Sequence, residues 1–557
     1  MVTRSGRPRR PRLLLGPIVG HTDDCSTRIW IQVADDPALY SVRVEGVGLV
    51  AFASTEPDGV EFGTAIAKVE GLQADRRYRY RIVRAGRFVP GAGGSVRALP
   101  PPASNTNLLF CAISCNGADK LGAWQNFADH VDAAQPSFIV MMGDQVYMDE
   151  DEPDIFEHHF ESDRATRRRA MADKMRPNWS REPLKRLFAN TPVYMVWDDH
   201  DIRDGWGSLA CDSPTLAAKH ARGVPMFRKC EAFFEDARDV YWHFQGCRNP
   251  RPGDHPDPFV PGARDPAFPN YVDGPLRGGQ RIGMPFVFRC GRLMVMVLDS
   301  RGARDVFRAD KPILGTQQWQ FVDATLAALP ADVDALAVVT ATPVASQDPD
   351  GQTQRLMGDR TDDVQAFKRG DEQELLHPRS TKDAADLVKA VISTKLSRIL
   401  GFNPNLGDFQ ISNLDEARDQ WSHHYSRPEQ RALLTKTFAA RRTNRSPASA
   451  RALVFLSGDI HIGCTFELSC RLPKGKAMSL TSSGISQIDD TQPLVGTFID
   501  QEFSVTPMIR ATMKTVVNQF NFGVVQVQPT GSGAVIDAVL AHEGNGFALG
   551  LDVKDLI

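Results

Sequence analysis

Residues 138–147 of the chain are FIVMMGDQVY, and this stretch decides the fold that the sequence predicts. Its first half is apolar at every position, which is typical of a strand buried on both faces of a sheet. Its second half turns polar, with Asp144 and Tyr147 following the strand directly. Because layered α/β domains carry their sites where strands end, the stretch predicts a buried strand and a functional loop together.

Five other apolar runs have the same design, at residues 108–113, 193–197, 293–298, 336–340 and 453–456. Polar side chains follow four of them at once: Ser114-Cys115-Asn116, Asp198-Asp199-His200-Asp201, Asp299-Ser300-Arg301 and Gly458-Asp459-Ile460-His461. These runs predict a layered α/β domain whose strand ends bring carboxylate, imidazole and thiol groups together.

The first part of the chain has a different pattern. Residues 13–100 contain short alternating runs, such as 29–33 and 78–82, and this period of two predicts a small all-β sandwich. Residues 98–104 are rich in proline and predict a linker. The main domain is therefore expected at 105–545.

Two long insertions are expected inside the main domain. Residues 245–285 are rich in proline and glycine and predict a loop, whereas 360–445 predict a largely helical insertion. An apolar helical stripe between Leu387 and Leu400 is expected to pack on the core. A lid or a peripheral contact with lipid is the alternative for this stripe.

The composition is that of an ordinary globular protein. The 557 residues predict two or three domains, and 42% hydrophobic with 24% charged residues is ordinary for a globular protein. A net charge of −3 gives no global bias toward nucleic acid or anionic membranes. Most of the nine scattered cysteines are expected to be reduced thiols. With no convincing export signal near Arg9-Arg10, a cytoplasmic location is expected. Nothing in the pattern predicts an oligomeric state.

The clustered acids predict bound metal ions, since carboxylates grouped in a low-dielectric site otherwise repel each other or stay protonated. Cys115 and Tyr147 would bind as thiolate and phenolate, and deprotonating a phenol calls for a strongly Lewis-acidic ion such as Fe³⁺. Asp144 has two oxygens and could bridge two metals. Asp198, Asp199 and Asp459 are hard oxygen donors, which suit Ca²⁺, Mg²⁺ or Mn²⁺.

Such a centre predicts hydrolysis of a phosphate ester. Metal ions lower the pKa of bound water to about 7, and the resulting hydroxide attacks phosphorus in line. His200 is the predicted donor of a proton to the leaving group, and Arg301 the predicted clamp on a phosphate oxygen. Asn116 completes the predicted set of substrate contacts.

The five motifs, in this order and spacing, resemble the PhoD-like alkaline phosphatase and phosphodiesterase family, which is similar to purple acid phosphatases. The resemblance implies a four-layer αββα domain behind a fibronectin-III-like sandwich. It also implies Fe³⁺ bound by Cys115, Asp144 and Tyr147, with Ca²⁺ beside it. Mn²⁺, Mg²⁺ and Zn²⁺ are alternatives for the second metal.

By position in the motifs, the resemblance further implies that Asp199, Asp459 and His461 are metal ligands and that His200 contacts phosphate. One stretch departs from the family, because Arg203-Asp204-Gly205-Trp206 lacks the usual asparagines. Asp204 is the candidate substitute ligand. The expected substrate is a small phosphoester, as monoester or diester. A phospholipase-D-type esterase and a non-catalytic phosphate- or metal-binding module remain alternatives.

Overall fold

The computed structural model describes residues 12–56, 61–118, 120–150, 152–250, 276–277, 280–351, 361–371, 420–446, 449–487, 499–517, 519–531 and 533–542. The stripe at 387–400, most of the predicted loop at 245–285 and much of the insertion at 360–445 lie outside these residues. Within the described part, no helix is both long and apolar enough to cross a membrane.

The N-terminal part forms two four-stranded sheets, ordered β1-β2-β6-β5 and β4-β3-β7-β8. Their strands are β1 (Leu13–Thr22), β2 (Ser26–Val33), β3 (Tyr40–Val44), β4 (Gly48–Ala51), β5 (Ala53–Ser54), β6 (Thr64–Glu70), β7 (Arg77–Arg84) and β8 (Arg87–Arg97). Alternate residues of the sheets, such as Ile29, Val42 and Tyr80, share one apolar core. The expected all-β region is therefore present.

Strand β2 differs from the prediction, because the alternating pattern predicted one buried face and all eight residues are buried. The indole of Trp30 donates to the carbonyl of His243 at 2.9 Å, and the Arg28 guanidinium donates to the carbonyl of Asn249. Residues 243–249 thus cover the face that the pattern left to solvent. A period of two cannot reveal a neighbour that arrives from more than 200 residues away.

The later strands are β9 (Leu108–Ile113), β10 (Ile139–Met142), β11 (Val193–Val196), β12 (Leu276–Arg277), β13 (Gln280–Arg281), β14 (Phe286–Cys290), β15 (Leu293–Val297), β16 (Ala335–Val339), β17 (Ala452–Ser457), β18 (Gly463–Cys470), β19 (Gly475–Thr481), β20 (Glu502–Thr506), β21 (Ile509–Val517), β22 (Asn521–Thr530) and β23 (Gly533–His542). All six predicted apolar runs are strands, which confirms that part of the prediction.

The six strands divide between two sheets. Strands β9, β10 and β11 are parallel neighbours in a five-stranded sheet with the order β11-β10-β9-β22-β23. Strands β15, β16 and β17 are parallel neighbours in an eight-stranded sheet with the order β14-β15-β16-β17-β19-β18-β21-β20. The carboxyl ends of both triplets carry the polar motifs.

Strand β15 shows how the sheets are layered. Leu293, Val295 and Val297 belong to a core shared with strands of the five-stranded sheet. Met294 and Met296, which point the opposite way, belong to a second core shared with helices. Because successive side chains of a strand face opposite sides, the eight-stranded sheet separates the two cores.

The described helices are α1 (Trp124–Ala134), α2 (Ile155–His159), α3 (Arg164–Trp179), α4 (Leu184–Phe188), α5 (Pro214–Ala217), α6 (Val224–Phe244), α7 (Gly315–Ala327), α8 (Thr361–Arg369) and α9 (Arg427–Ala440). Helices α7 and α9 pack on the outer core of the eight-stranded sheet through Val322 and Leu434. Helix α1 packs on the five-stranded sheet, where Phe127 meets Phe522 edge to face. The mixed α/β class is confirmed, and all nine cysteines are free thiols, as expected.

Tyr194 of β11 joins the N-terminal sheets to the main sheets. Its hydroxyl donates to the Thr22 carbonyl at 3.1 Å and accepts from the Thr22 N–H at 3.3 Å. Its ring stacks on Phe288 with a centroid distance of 3.8 Å. The contact is buried, so water cannot replace the hydroxyl if it is lost.

We expect Tyr194→Phe to lower the free energy of unfolding by about 1–3 kcal/mol, because it leaves the buried carbonyl and N–H of Thr22 without this hydrogen-bond partner. Urea denaturation measures the change. Tyr78→Phe is the matched control, since the Tyr78 hydroxyl accepts from the N–H of Gln73, an exposed residue that water can reach. Equal losses in the two variants would contradict the assigned role of the Tyr194 contact.

Candidate metal centre

The carboxyl ends of two parallel strand triplets meet at one place. Cys115 follows β9 by two residues, Asp144 follows β10 by two, and Asp459 follows β17 by two. The ligand atoms of Cys115, Asp144 and His461 lie within 4.8 Å of one another, and so do those of Asp144, Asp198 and Asp199. Asp144 belongs to both groups, which is the position that a bridging carboxylate requires.

The backbone of these residues is unusual. Cys115, Asp144, Asp459 and His461 have φ values of 59°, 54°, 76° and 55°, in the left-handed region that residues other than glycine rarely adopt. Such conformations cost on the order of 1 kcal/mol each and concentrate at functional sites. They turn each side chain out of its strand direction and toward the shared space.

Gly143 and Gly458, which precede two of these residues, allow the close approach. A Cβ at Gly458 would lie 2.2 Å from the Ser114 hydroxyl oxygen. A Cβ at Gly143 would lie 2.5 Å from the Cβ of Asp198, and Gly143 has a φ of +100°. The glycines of the Gly-Asp motifs are therefore needed for packing between motifs.

The Cys115 thiol is fully buried among polar groups. Its Sγ lies 3.4 Å from Asp144 Oδ2 and 3.1 Å from the Ser483 hydroxyl. Burial raises the pKa of this thiol, but charge and hydrogen bonding from His461, with hydrogen bonds from Ser114 and Ser483, lower it to about 6. The thiolate, which is the form that binds metals, is thus accessible near neutral pH.

Tyr147 lies against His461, with 3.0 Å between the phenol oxygen and Nε2. Burial and the negative charges of Cys115 and Asp144 raise the pKa of Tyr147 well above its usual value. The phenol is therefore neutral among these protein groups, and a cation of high charge is what would make it a phenolate ligand.

The acidic group carries a strong electrostatic penalty. Burial raises the pKa of Asp144 well above its usual range, and the charges of Cys115, Asp199 and Asp198 raise it further, although His200 opposes them. Asp144 Oδ1 is buried with no hydrogen-bond partner among the described residues. Bound cations fit this donor set, because they relieve the repulsion and give that oxygen a partner.

Arg301 lies among the carboxylates of the centre. Its side chain is fully buried and donates to Asp198, and Nη2 lies 3.3 Å from Asp199 and 3.4 Å from Asp459. The guanidinium therefore holds the carboxylates together, and its contact with a phosphate oxygen stays a prediction. The sequence showed its charge but not which anion it faces.

Asn116 is held by several neighbouring protein groups. Its Nδ2 donates to the Gln145 carbonyl and to Asn178, both at 3.1 Å, and its Oδ1 accepts from Trp124 at 2.9 Å. Arg181 also donates to Oδ1. Both N–H groups and the oxygen of this amide therefore have protein partners, and its contact with substrate stays a prediction.

His200 lies beside the acidic group and has a partner that the sequence analysis missed. Its Nδ1 is 2.8 Å from Asp149 Oδ1. Burial lowers the pKa of His200, but Asp149, Asp199 and Asp144 raise it well above the usual value. Asp149 lies two residues after Tyr147 in the acidic run 149–152, and that proximity was the only available signal.

Ser483 is the second missed residue, on the loop after β19. Its hydroxyl contacts the Cys115 sulfur and accepts from the backbone N–H of His461 at 2.6 Å. It thereby connects the first and last motifs. Asp204, the candidate substitute ligand, donates its backbone N–H to Asp149 and lies in neither of the two described groups of candidate ligands around Asp144.

Comparison with known proteins places the chain in context. A model of the PhoD-like phosphatase family matches residues 110–534. Among solved structures, the chain is similar to "Structure of PhoD", with 14% identity, a TM-score of 0.54 and coverage of 98% of this chain and 95% of that one. Purple acid phosphatase PPD1 from yellow lupin (Lupinus luteus) seeds has 9% identity, a TM-score of 0.44 and coverage of 94% and 71%. No curated protein matches significantly.

We expect Asp144→Asn to have opposite effects on stability with and without metal. Folding raises the pKa of Asp144, so the metal-free protein at pH 8 must either take up a proton or bury a charge when it folds. Either event costs free energy, and the neutral asparagine removes that cost. The metal-free variant should melt about 2 °C higher or more, whereas the metal-loaded form should melt lower. Calorimetry with elemental analysis measures both.

Asp299→Asn is the matched control for this prediction. The Asp299 carboxylate accepts hydrogen bonds from Trp197 and from the backbone N–H groups of Met284, Arg301 and Gly302. Replacing it should lower stability in both metal states, because four donors rely on it. A fall in the stability of metal-free Asp144→Asn would argue against electrostatic repulsion at the centre.

Proposed function

Because the chain belongs to the PhoD-like phosphatase family, we propose that it is a metal-dependent phosphoric ester hydrolase acting on small phosphoesters. One observation carries the proposal: Cys115, Asp144 and His461 lie together, and Asp144 is shared with the group of Asp198 and Asp199. This donor set is too acidic to be stable by packing alone, and its chemistry suits two unlike metal ions.

The two halves of the donor set suit different metals. We assign Fe³⁺ to the side of Cys115, Tyr147 and His461, because thiolate and phenolate are strong ligands of that ion. We assign Ca²⁺ to the oxygen-rich side of Asp199 and Asp459, with Mn²⁺, Mg²⁺ or Zn²⁺ as alternatives. When bound, such ions supply a nucleophile at neutral pH and offset the charge on phosphoryl oxygens.

His200 is the proposed proton donor to the leaving oxygen. The hydrogen bond from Nδ1 to Asp149 orients the imidazole and leaves Nε2 as the ring nitrogen for the substrate side. Asp149 acts as a positioning residue, since its second oxygen accepts from the backbone N–H of Asp204 and is thereby held in place. Arg301 keeps Asp198, Asp199 and Asp459 converged.

We also propose finer features of the fold. The region 13–100 is taken as a fibronectin-III-like domain. The region 105–545 is taken as a four-layer αββα domain with the helical insertion at 360–445. Helices outside both sheets and a shared core between the sheets support this layering.

The proposed activity is tested with p-nitrophenyl phosphate and bis-p-nitrophenyl phosphate on purified, metal-analysed protein. We expect turnover of at least one ester, its loss on chelation and its return on adding metal, because the nucleophile depends on the cations. The preferred ester separates monoesterase from diesterase. Choline release from phosphatidylcholine vesicles would instead favour a phospholipase-D-type esterase. Metal binding without turnover would favour a non-catalytic module.

We expect His200→Ala to lower kcat/KM about 100-fold or more for alkyl esters but much less for p-nitrophenyl esters, since a good leaving group needs no proton donor. Asp149→Asn should show the same selectivity with a smaller loss. Steady-state kinetics on a series of leaving groups measures this. Equal losses across the series would assign His200 to substrate binding alone.

A further inference from the structure

The outer face of β7 is lined with arginine. Its residues alternate between the sandwich core, which takes Tyr78 and Tyr80, and the solvent face, which takes Arg77, Arg79 and Arg81. All three arginines are exposed. The strand therefore buries one face, as any half-buried strand does, but presents only cations on the other.

Neighbouring strands add to this charge instead of balancing it. Arg43 of β3 is the direct cross-strand partner of Arg81, and Arg97 of β8 is the direct partner of Arg77. Like charges directly opposite each other destabilise a sheet. Asp75 offsets part of the repulsion by pairing with Arg97 at 3.2 Å, whereas no carboxylate of the described residues forms an ion pair with Arg43 or Arg81.

Strand β8 turns this face into a groove. Gly93 pairs with Arg81, and a Cβ at Gly93 would lie 2.6 Å from the Tyr80 carbonyl oxygen. The glycine floor leaves an open cavity of about 980 Å³, which we call the arginine groove. Its lining includes Arg43, Arg79, Arg81, Phe88, Ser95 and Asn190.

The groove has groups suited to a ligand. Arg43, Arg79 and Arg81 form no ion pair with any residue that the structure describes, and Glu45 is the one acidic residue of the groove lining. Phe88 is 50% exposed, and the Arg81 guanidinium lies 5.4 Å from its ring. An exposed aromatic ring beside a row of cations favours a ligand that is both anionic and aromatic.

The groove is separate from the metal centre. Asn190 of its lining precedes β11, whereas Asp198 follows that strand. The two features therefore lie toward opposite ends of the same strand. A ligand in the groove would not need to reach the metal ions, so binding there is independent of the proposed hydrolysis.

We propose that the arginine groove binds single-stranded nucleic acid, with Arg43, Arg79 and Arg81 on backbone phosphates and Phe88 stacked on a base. Guanidinium forks match phosphate oxygens, and strand geometry places Arg79 and Arg81 about 7 Å apart along the groove. An acidic peptide would use the cations but not the exposed ring. An anionic membrane would need a broad apolar face for insertion, whereas the exposed apolar side chains Phe88 and Leu49 are set among arginines and glycine on the described part of this sheet. The net charge of −3 gives no sign of this cationic face, because acidic residues elsewhere in the chain offset its arginines.

The test is fluorescence anisotropy of the full-length protein with a labelled oligothymidylate of twelve nucleotides at low salt. We expect dissociation constants of roughly 1–100 µM and a salt slope near −2, from about three phosphate contacts at 0.7 each. Arg43→Ala, Arg79→Ala and Arg81→Ala should each weaken binding about fivefold, and their combination should abolish it. Phe88→Ala should also weaken it about fivefold or more, through lost stacking.

Arg87→Ala is the matched control, because Arg87 is exposed on the same strand as Phe88 but does not line the groove. It should bind as wild type does, and all variants should keep wild-type melting temperatures and turnover of small esters. Wild-type binding by the triple variant would overturn the proposal. Full competition by inorganic polyphosphate against the oligonucleotide, together with no effect of Phe88→Ala, would also contradict it. A preference for phosphatidylglycerol vesicles over the oligonucleotide would contradict it as well.

Discussion

Mutual repulsion among buried anionic side chains is the constraint on which the rest of the structure depends. Asp144, Asp198 and Asp199 offer oxygens within 4.8 Å of one another, with the Cys115 sulfur 3.4 Å from Asp144. Burial in a low-dielectric site makes such an arrangement costly unless cations are present. Arg301 supplies one fixed cation, and the donor types suit metal ions for the remainder. Metal binding at this centre would therefore be coupled to folding.

The scaffold holds this arrangement in place by several means. Two parallel strand triplets aim their carboxyl ends at the same space, and left-handed backbone at Cys115, Asp144, Asp459 and His461 completes the convergence. Around them, Asp299 anchors one loop through four hydrogen bonds. The strained loops are also tied to each other, since the Cys115 N–H donates to the Gly143 carbonyl and the Asn116 N–H donates to the Asp144 carbonyl. Such contacts with other elements are what allows local strain to persist.

The N-terminal sheets are more than an appended unit. Strand β2 is buried on both faces, and Tyr194 connects its neighbour β1 to the main sheet through the backbone of Thr22. The sheet that contains β1 and β2 thus stabilises the fold through its contacts with the rest of the chain. The outer face of the other sheet carries Arg43 and Arg81 as direct cross-strand partners, at a cost in repulsion that no ion pair among the described residues offsets, which is why we assign this face a ligand of its own.

The sequence by itself determined the strands and the identity of most centre residues, because apolar runs and the polar groups after them are local signals. The partners of Arg301 and Asn116, and the presence of Asp149 and Ser483 beside the centre, were decided only by the tertiary structure. Each depends on which distant group a side chain faces: Arg301 meets carboxylates from 102 residues before it and 158 after it. Local pattern reports what a strand buries, whereas electrostatic partners are set by how separate strands are brought together.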